Sequence, residues 1–282
     1  MSSISSRNVI LQRRLADAAR RKTEIVEAAV EQYSQLPIWP EAVRCMPNEV
    51  MRSALFNAQN SKTERRYMDK ETIAVVGDGY VTYTGRELRQ LDELVWLQLV
   101  HLARELPAGN VVEFTPHAFC KSIGWGVSSR DYERLRDCLT RLQATALEIG
   151  STRLGKAGVS LSMLPKFMWR EGPNGPTLAK YRVTIDQDLV RLFSEAQYTQ
   201  VEWQQRLALP DGIATWLHGY FASHRTPFPI KLETVAKGAG ILAKGKKLRE
   251  LVRRALDAMV TVGFLVSGSV DENDLVKVVR AN

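Results

Sequence analysis

Two segments of this chain, 113 residues apart, repeat both faces of a single helix. Leu135, Leu139 and Leu142 recur as Leu248, Val252 and Ala255, while Arg134, Asp137 and Arg141 recur as Lys247, Glu250 and Arg254. An apolar stripe at i, i+3, i+4, i+7 is what any packed helix shows, so its recurrence follows from folding alone. A recurring outward charge pattern does not follow from folding. The chain is thereby constrained to two copies of one helical unit, each presenting cations to solvent.

The surrounding sequence repeats in the same order. In the first copy "ELRQLDELVWLQLVHLAREL" predicts a helix, and "EFTPHAFCKSIGW" a shorter one with Thr115 as N-cap, Pro116 at the first helical position and Gly124 closing the turn. The helix from Ser128 follows, with Leu135, Cys138, Leu139, Leu142 and Ala146 as its stripe. Two β-rich runs then flank "GPNGP", and a short helix is expected between Asp186 and Gln197. The second copy runs "PDGIATWLHGYFASH", "KLETVAKGAG", "KGKKLRELVRRALDAMVTVG" and the hairpin "FLVSGSVDENDLVKVV". Helix, short helix, long helix and hairpin is the order of a winged helix, a variant of the helix-turn-helix.

The expected fold is therefore α+β: two tandem winged-helix domains, residues 36–197 and 198–282, behind a basic helical arm, residues 1–35. Between arm and domain, "PIWPEAVRCMPNEV" reads as a proline-broken linker. Ahead of the first helix, "ETIAVVGDGYVTYTG" alternates about an Asp78-Gly79 turn and predicts a hairpin. At 282 residues the chain is long enough for each domain to bury its own core.

A net charge of +8 favours a polyanionic partner. On the first long helix Arg130, Arg134 and Arg141 cluster opposite the stripe; on the second Lys246, Lys247, Arg253 and Arg254 hold the corresponding side. If each helix is third in a helix-turn-helix, its N-terminal half lies in a major groove, where arginine can donate two hydrogen bonds to guanine O6 and N7. Arg130, Arg134, Lys246 and Lys247 sit in those halves, and Arg141 and Arg254 lie nearer the ends, where phosphates are expected. The expected first wing, "GSTRLGKAG", adds Arg153 and Lys156, suited to phosphate or minor groove. The second wing tip, "SVDEND", is acidic and expected to avoid phosphate.

Enzymatic signatures are missing. "GILAKGKK" follows phosphate-loop spacing to Lys246, but Lys247 replaces the magnesium-binding hydroxyl and no strand precedes it; it reads as a turn into a helix. His101, His117, His218 and His224 form no i, i+4 pair, and no carboxylate pair, nucleophile elbow or dinucleotide fingerprint stands out. Neither metal nor cofactor is expected, and no enzyme. Cys45, Cys120 and Cys138 lack Cys-x-x-Cys spacing and are expected as reduced thiols. Trp96, Trp125, Trp203 and Trp216 are expected in the core. With no membrane-length apolar run and no signal-peptide core, the expected location is cytoplasmic, without membrane contact.

Four segments carry a resemblance: "WPEAVRCMPNEVMRSALF", "TYTGRELRQLDELVW", "CLTRLQATAL" and "FASHRTPFPIKLET". In these, and in their order, the chain resembles the TrfA-type replication initiators of broad-host-range plasmids. The resemblance implies two winged-helix domains that bind repeated sequences (iterons) in double-stranded origin DNA, open an adjacent AT-rich region, and act with the host initiator to load the host replicative helicase. It also implies a monomer as the active form and a homodimer as a reservoir. Family members can carry a glutamine-led peptide ending Leu-Phe that docks on the sliding clamp. Here the nearest segment is "QYSQLP", with proline in place of the aromatic anchor, so the expected clamp docking is weak. The alternative reading is a winged-helix transcriptional regulator with the same DNA surface and no part in replication.

Overall fold

The structure is a computed structural model and describes residues 35–77, 80–107, 111–150, 159–172, 175–185, 189–190, 193 and 198–281. The chain begins with β1 (Val43–Pro47), α1 (Asn48–Met51) and β2 (Phe56–Asn57), then pairs β3 (Tyr67–Ile73) with β4 (Tyr80–Arg86). β5 (Leu88–Arg89), α2 (Gln90–Ala103), β6 (Val111–Phe114), α3 (Pro116–Ser122) and α4 (Ser129–Gln143) follow. Next come β7 (Thr145–Gly150), β8 (Val159–Leu161), β9 (Lys166–Gly172), β10 (Gly175–Thr184), β11 (Tyr198–Glu202) and α5 (Trp203–Ala208). The last third holds α6 (Ile213–Ala222), β12 (Ile230–Lys231), α7 (Leu232–Gly238), α8 (Gly245–Thr261), β13 (Leu265–Val270) and β14 (Leu275–Arg280).

Two hydrophobic cores divide this mixed α/β chain. One runs from Leu36 to Trp203 around α2, whose Trp96, Leu97, Leu99 and Val100 are completely buried; the other runs from Leu209 to Val276 around α6 and α8. The two share a topology. In each, a helix, a strand, a short helix and a long helix precede a hairpin whose last strand pairs with that first strand, β6-β10-β9 in one sheet and β12-β14-β13 in the other, all antiparallel; in the first unit β7 and β8 are inserted between the long helix and the hairpin. The local signals act as expected at the short helix, where Thr115 Oγ1 accepts from the Ala118 N–H at 3.2 Å and Gly124 adopts φ +72°.

The proline-containing segment is not a linker. β1 pairs along its length with β11, from Val43↔Glu202 to Pro47↔Tyr198, and Trp39, Cys45 and Met46 are buried. Pro40 lies before the strand and Pro47 at its last position, where a missing N–H costs the ladder least.

The expected first wing is also revised. α4 ends at Gln143, and β7 joins the sheet β3-β4-β7-β8, pairing Leu147 with Tyr83 and Ile149 with Val81. Ala146 is thus an exposed strand residue, not the last rung of the helical stripe. The hairpin equivalent to β13–β14 is β9–β10. Arg153 and Lys156 lie outside the described residues, as do residues 1–34 of the arm, the Asp78-Gly79 turn and most of 186–197.

Candidate nucleic-acid interface

α4 begins with reciprocal hydrogen bonds. The Ser128 hydroxyl oxygen accepts from the Asp131 N–H at 3.4 Å, and the Asp131 carboxylate accepts from the Ser128 N–H at 3.0 Å. The Ser128 hydroxyl, donating to the Asp131 carboxylate at 2.6 Å, and the Ser128 N–H together hold that carboxyl below the usual carboxylate range. Tyr132, Leu135, Cys138, Leu139 and Leu142 are buried, and Arg130, Arg134 and Asp137 are exposed. The Arg134 guanidinium lies over the Trp125 ring, 4.1 Å from its centroid.

Arg141 does not share that exposed face. Its Nε and Nη2 donate to Asp92 Oδ1 at 3.0 and 2.8 Å, and Arg65 Nη1 donates to Asp92 Oδ2 at 2.7 Å. Asp92 is fully buried. Burial alone would lower the Arg141 pKa, but the Asp92 carboxylate outweighs it and the value is raised. With Nε and Nη2 committed to a buried carboxylate, Arg141 is held against α2 and has fewer donors to offer the phosphate expected from the helical wheel.

α8 buries Leu248, Val252, Ala255, Leu256 and Met259. The six positions of the repeated stripe, Leu135, Leu139 and Leu142 with Leu248, Val252 and Ala255, are all in the two cores. Lys246, Lys247, Arg253 and Arg254 are exposed, and Arg254 is paired with Glu250 one turn earlier. The acidic tip is consumed internally. Arg249 donates to Asp271 O at 2.7 Å and pairs with Asp274, Lys277 meets Asp271 at 2.8 Å, and Asp271 Oδ1 caps the turn from the Asn273 and Leu275 N–H groups. The Asp274 carboxylate and the Asp271 carbonyl therefore fasten the hairpin to α8 through Arg249, while the Asp271 carboxylate closes the hairpin's own turn.

Three residues escaped the sequence reading. Trp125 was expected in the core, yet it is half-buried beneath Arg134. Lys180 and Arg182, exposed on β10, share Glu113 of β6 at 2.6 and 2.7 Å. Only the cross-strand register, which brings Arg182 opposite Glu113, reveals that last group. Trp96, Trp203 and Trp216 are buried as expected.

Among the described residues no group of three or more His, Cys, Asp or Glu side chains could hold a metal ion, and no helix is long and apolar enough to cross a membrane. Lys244 to Lys247 follow a helix and a turn, not a strand. The three cysteines are buried free thiols, Cys45 pushed up to about 12 and Cys120 to about 11, both chiefly by burial.

Fold and surface together define a two-core α/β protein that carries a basic helix on each of two like-wired units. The TrfA protein family model matches residues 7–280, and the chain belongs to that family. The plasmid replication initiator protein TrfA of Escherichia coli is 37% identical over 255 residues, covering 89% of this chain; the chain spans 65% of that relative's length. A crystal structure of domains 2 and 3 of RctB is similar in fold at 12% identity, with TM-score 0.57, covering 82% of this chain and 98% of that one. A second RctB structure of the same domains gives TM-score 0.55 at 12% identity, covering 83% and 97%.

Proposed function

We propose that the chain is a plasmid replication initiator whose two winged-helix units bind iterons in duplex origin DNA. The units divide at about residue 198, with β11 and Trp203 reaching back into the first core. The observation that carries this reading is the coincidence of shared strand order, β6-β10-β9 and β12-β14-β13, with an exposed cationic face on the long helix of each unit. Family membership with a plasmid replication initiator supports initiation over transcriptional regulation.

In this reading α4 and α8 enter major grooves. Arg130, Arg134, Lys246 and Lys247 face base edges, and Arg253 and Arg254 face phosphates. Lys180 and Arg182 on β10 supply the cations of the first wing, a place the sequence had given to Arg153 and Lys156. Opening of an AT-rich region, loading of the host helicase with the host initiator, and a monomer active on DNA belong to the same proposal. No catalytic step is required of the chain.

The test is selection of duplexes from a random library by the full chain without ATP or metal, followed by binding across a salt series. The expected result is a selected sequence that recurs as direct repeats beside an AT-rich stretch in the replicon. Affinity should fall steeply with salt, because several phosphate contacts release counterions. Selection of inverted repeats at promoters would move the reading to a regulator.

A further inference from the structure

We infer that Trp125 is a positioning residue for base recognition, holding the Arg134 guanidinium in place while leaving its N–H donors free for a guanine edge. This deepens, and rests on, the DNA-binding reading above. The basic side chains of the two long helices are held in different ways. Arg141 spends its donors on Asp92, Arg254 is paired with Glu250, and Arg130 has no ion-pair partner among the described residues. Arg136 lies over the Trp169 ring but also donates to the Tyr181 hydroxyl, whereas Arg134 lies over an indole and makes no hydrogen bond or ion pair with any described residue.

That difference has chemical content. A guanidinium carries five N–H donors in one plane and no acceptor, so a carboxylate partner competes directly with guanine O6 and N7 for the same donors. A ring face attracts the charge through its quadrupole and takes none of them. The ring thus removes rotameric freedom from a long side chain before DNA arrives, which lowers the ordering cost of binding.

The ring is itself anchored. Trp125 sits in the α3–α4 turn, its backbone N–H donates to Cys120 O at 2.9 Å, and its partly buried side chain packs on the first core. The following residue must be small, because a Cβ at Gly126 would lie 2.6 Å from the Asp131 carboxylate oxygen that caps α4. The second unit has no such device: at the repeat offset Trp125 falls on Gly238, and Arg134 on Lys247. A braced planar fork stands in one unit and an unbraced point charge in the other, which assigns the more exacting guanine readout to α4.

The experiment uses the full chain and a duplex it selects from a random library, with 7-deazaguanine replacing each guanine in turn to delete N7. Wild type should lose about fivefold or more in affinity at one guanine within the α4 footprint. Arg134→Ala should abolish sensitivity at that guanine, and Trp125→Ala should weaken it by about two- to fivefold, the range of an exposed cation–π contact. Trp125→Phe should retain part of it. In the Arg134→Ala background, Trp125→Ala should add nothing. A Trp125→Ala effect that persists without Arg134, or that is uniform over all guanines, would overturn the assignment, as would a folded Trp125→Ala chain with unchanged sensitivity. Thermal melts establish folding, and the Phe variant serves if the Ala variant melts early. Failure of wild type to select any sequence would remove the DNA-binding reading and this one together, whereas selection without Trp125–Arg134 coupling removes this one alone.

Discussion

At the scale of single residues, charge placement separates side chains that a helical wheel draws alike. Arg130 and Arg141 both project from the polar side of the α4 pattern, but only Arg141 finds a carboxylate beneath it, contributed by α2. Nothing local in the sequence names Asp92 as that partner. Asp92→Ala should destabilise the protein by about 3–5 kcal/mol, since it strands Arg65 and Arg141 beside a buried void. Arg130→Ala should change stability by less than about 0.5 kcal/mol while weakening DNA binding; urea unfolding of both variants checks this. Buried histidines give a second residue-scale expectation. Burial, with Arg206 and Arg280 nearby, holds His218 down to about 3, and burial with Arg44 holds His101 down to about 4. Unfolded histidine takes up its proton near 6.5. As pH falls below that value the unfolded state binds protons first, so stability is full above about 6.5 and declines toward 4. Glu93, raised to about 7 by burial against the pull of Arg206, works oppositely between 4.5 and 7. The difference between wild type and His218→Gln cancels the Glu93 contribution. That gap, measured by urea unfolding, should be wider at pH 7.5 than at pH 5.

At the scale of elements, the two long helices share a stripe and differ at their starts. α4 has the Ser128–Asp131 box, whereas Lys244 at the N-cap of α8 makes no side-chain cap hydrogen bond. Lys244 has φ −130° and ψ 166°, the extended conformation that a capping serine uses. Ser128→Ala should therefore cost about 1 kcal/mol, and Lys244→Ser should add about 1 kcal/mol, both read from unfolding midpoints. Periodicity and caps are local, which is why the helices and the Thr115–Pro116–Gly124 pattern were legible in the sequence. Strand partners are not local. Ala146 continued the helical stripe and "GSTRLGKAG" read as a wing because nothing local shows that Tyr83 and Val81 oppose Leu147 and Ile149 in another sheet. Likewise three prolines suggested a linker because the strand that pairs with β1 arrives only at Tyr198. That Arg134 is exposed could be read from the helix pattern; its indole support could not, because a tryptophan in a turn looks the same whether its face meets core or cation.

At the scale of the molecule, the two units are held by more than their connecting chain. The Trp216 indole N–H donates to Ser53 O at 3.0 Å, Arg52 Nε to Ser223 Oγ at 2.8 Å, the Ala58 N–H to Ala239 O at 2.8 Å and Gln59 Nε2 to Gly240 O at 2.8 Å. Gly238 leaves no room for a side chain, since a Cβ there would lie 2.6 Å from Val76 and 2.8 Å from Trp216. Backbone acceptors and a glycine contact of this closeness fix one element against another and leave little freedom to swivel. If α4 and α8 both enter DNA, as proposed above, they must do so at a set spacing. Adjacent major grooves on one side of a duplex recur every ~10–10.5 bp. One protomer should therefore protect close to two turns, with two unlike clusters, because Arg130 and Arg134 differ from Lys246 and Lys247 in what they can donate. Inserting five base pairs between the clusters rotates one of them to the far side and should reduce affinity to that of a single cluster. Inserting ten restores the side but not the distance, so it should reduce affinity as well. A protein whose units were merely tethered would tolerate the ten-pair insertion, and hydroxyl-radical footprints on the three duplexes would reveal that tolerance as two separated protections at undiminished occupancy.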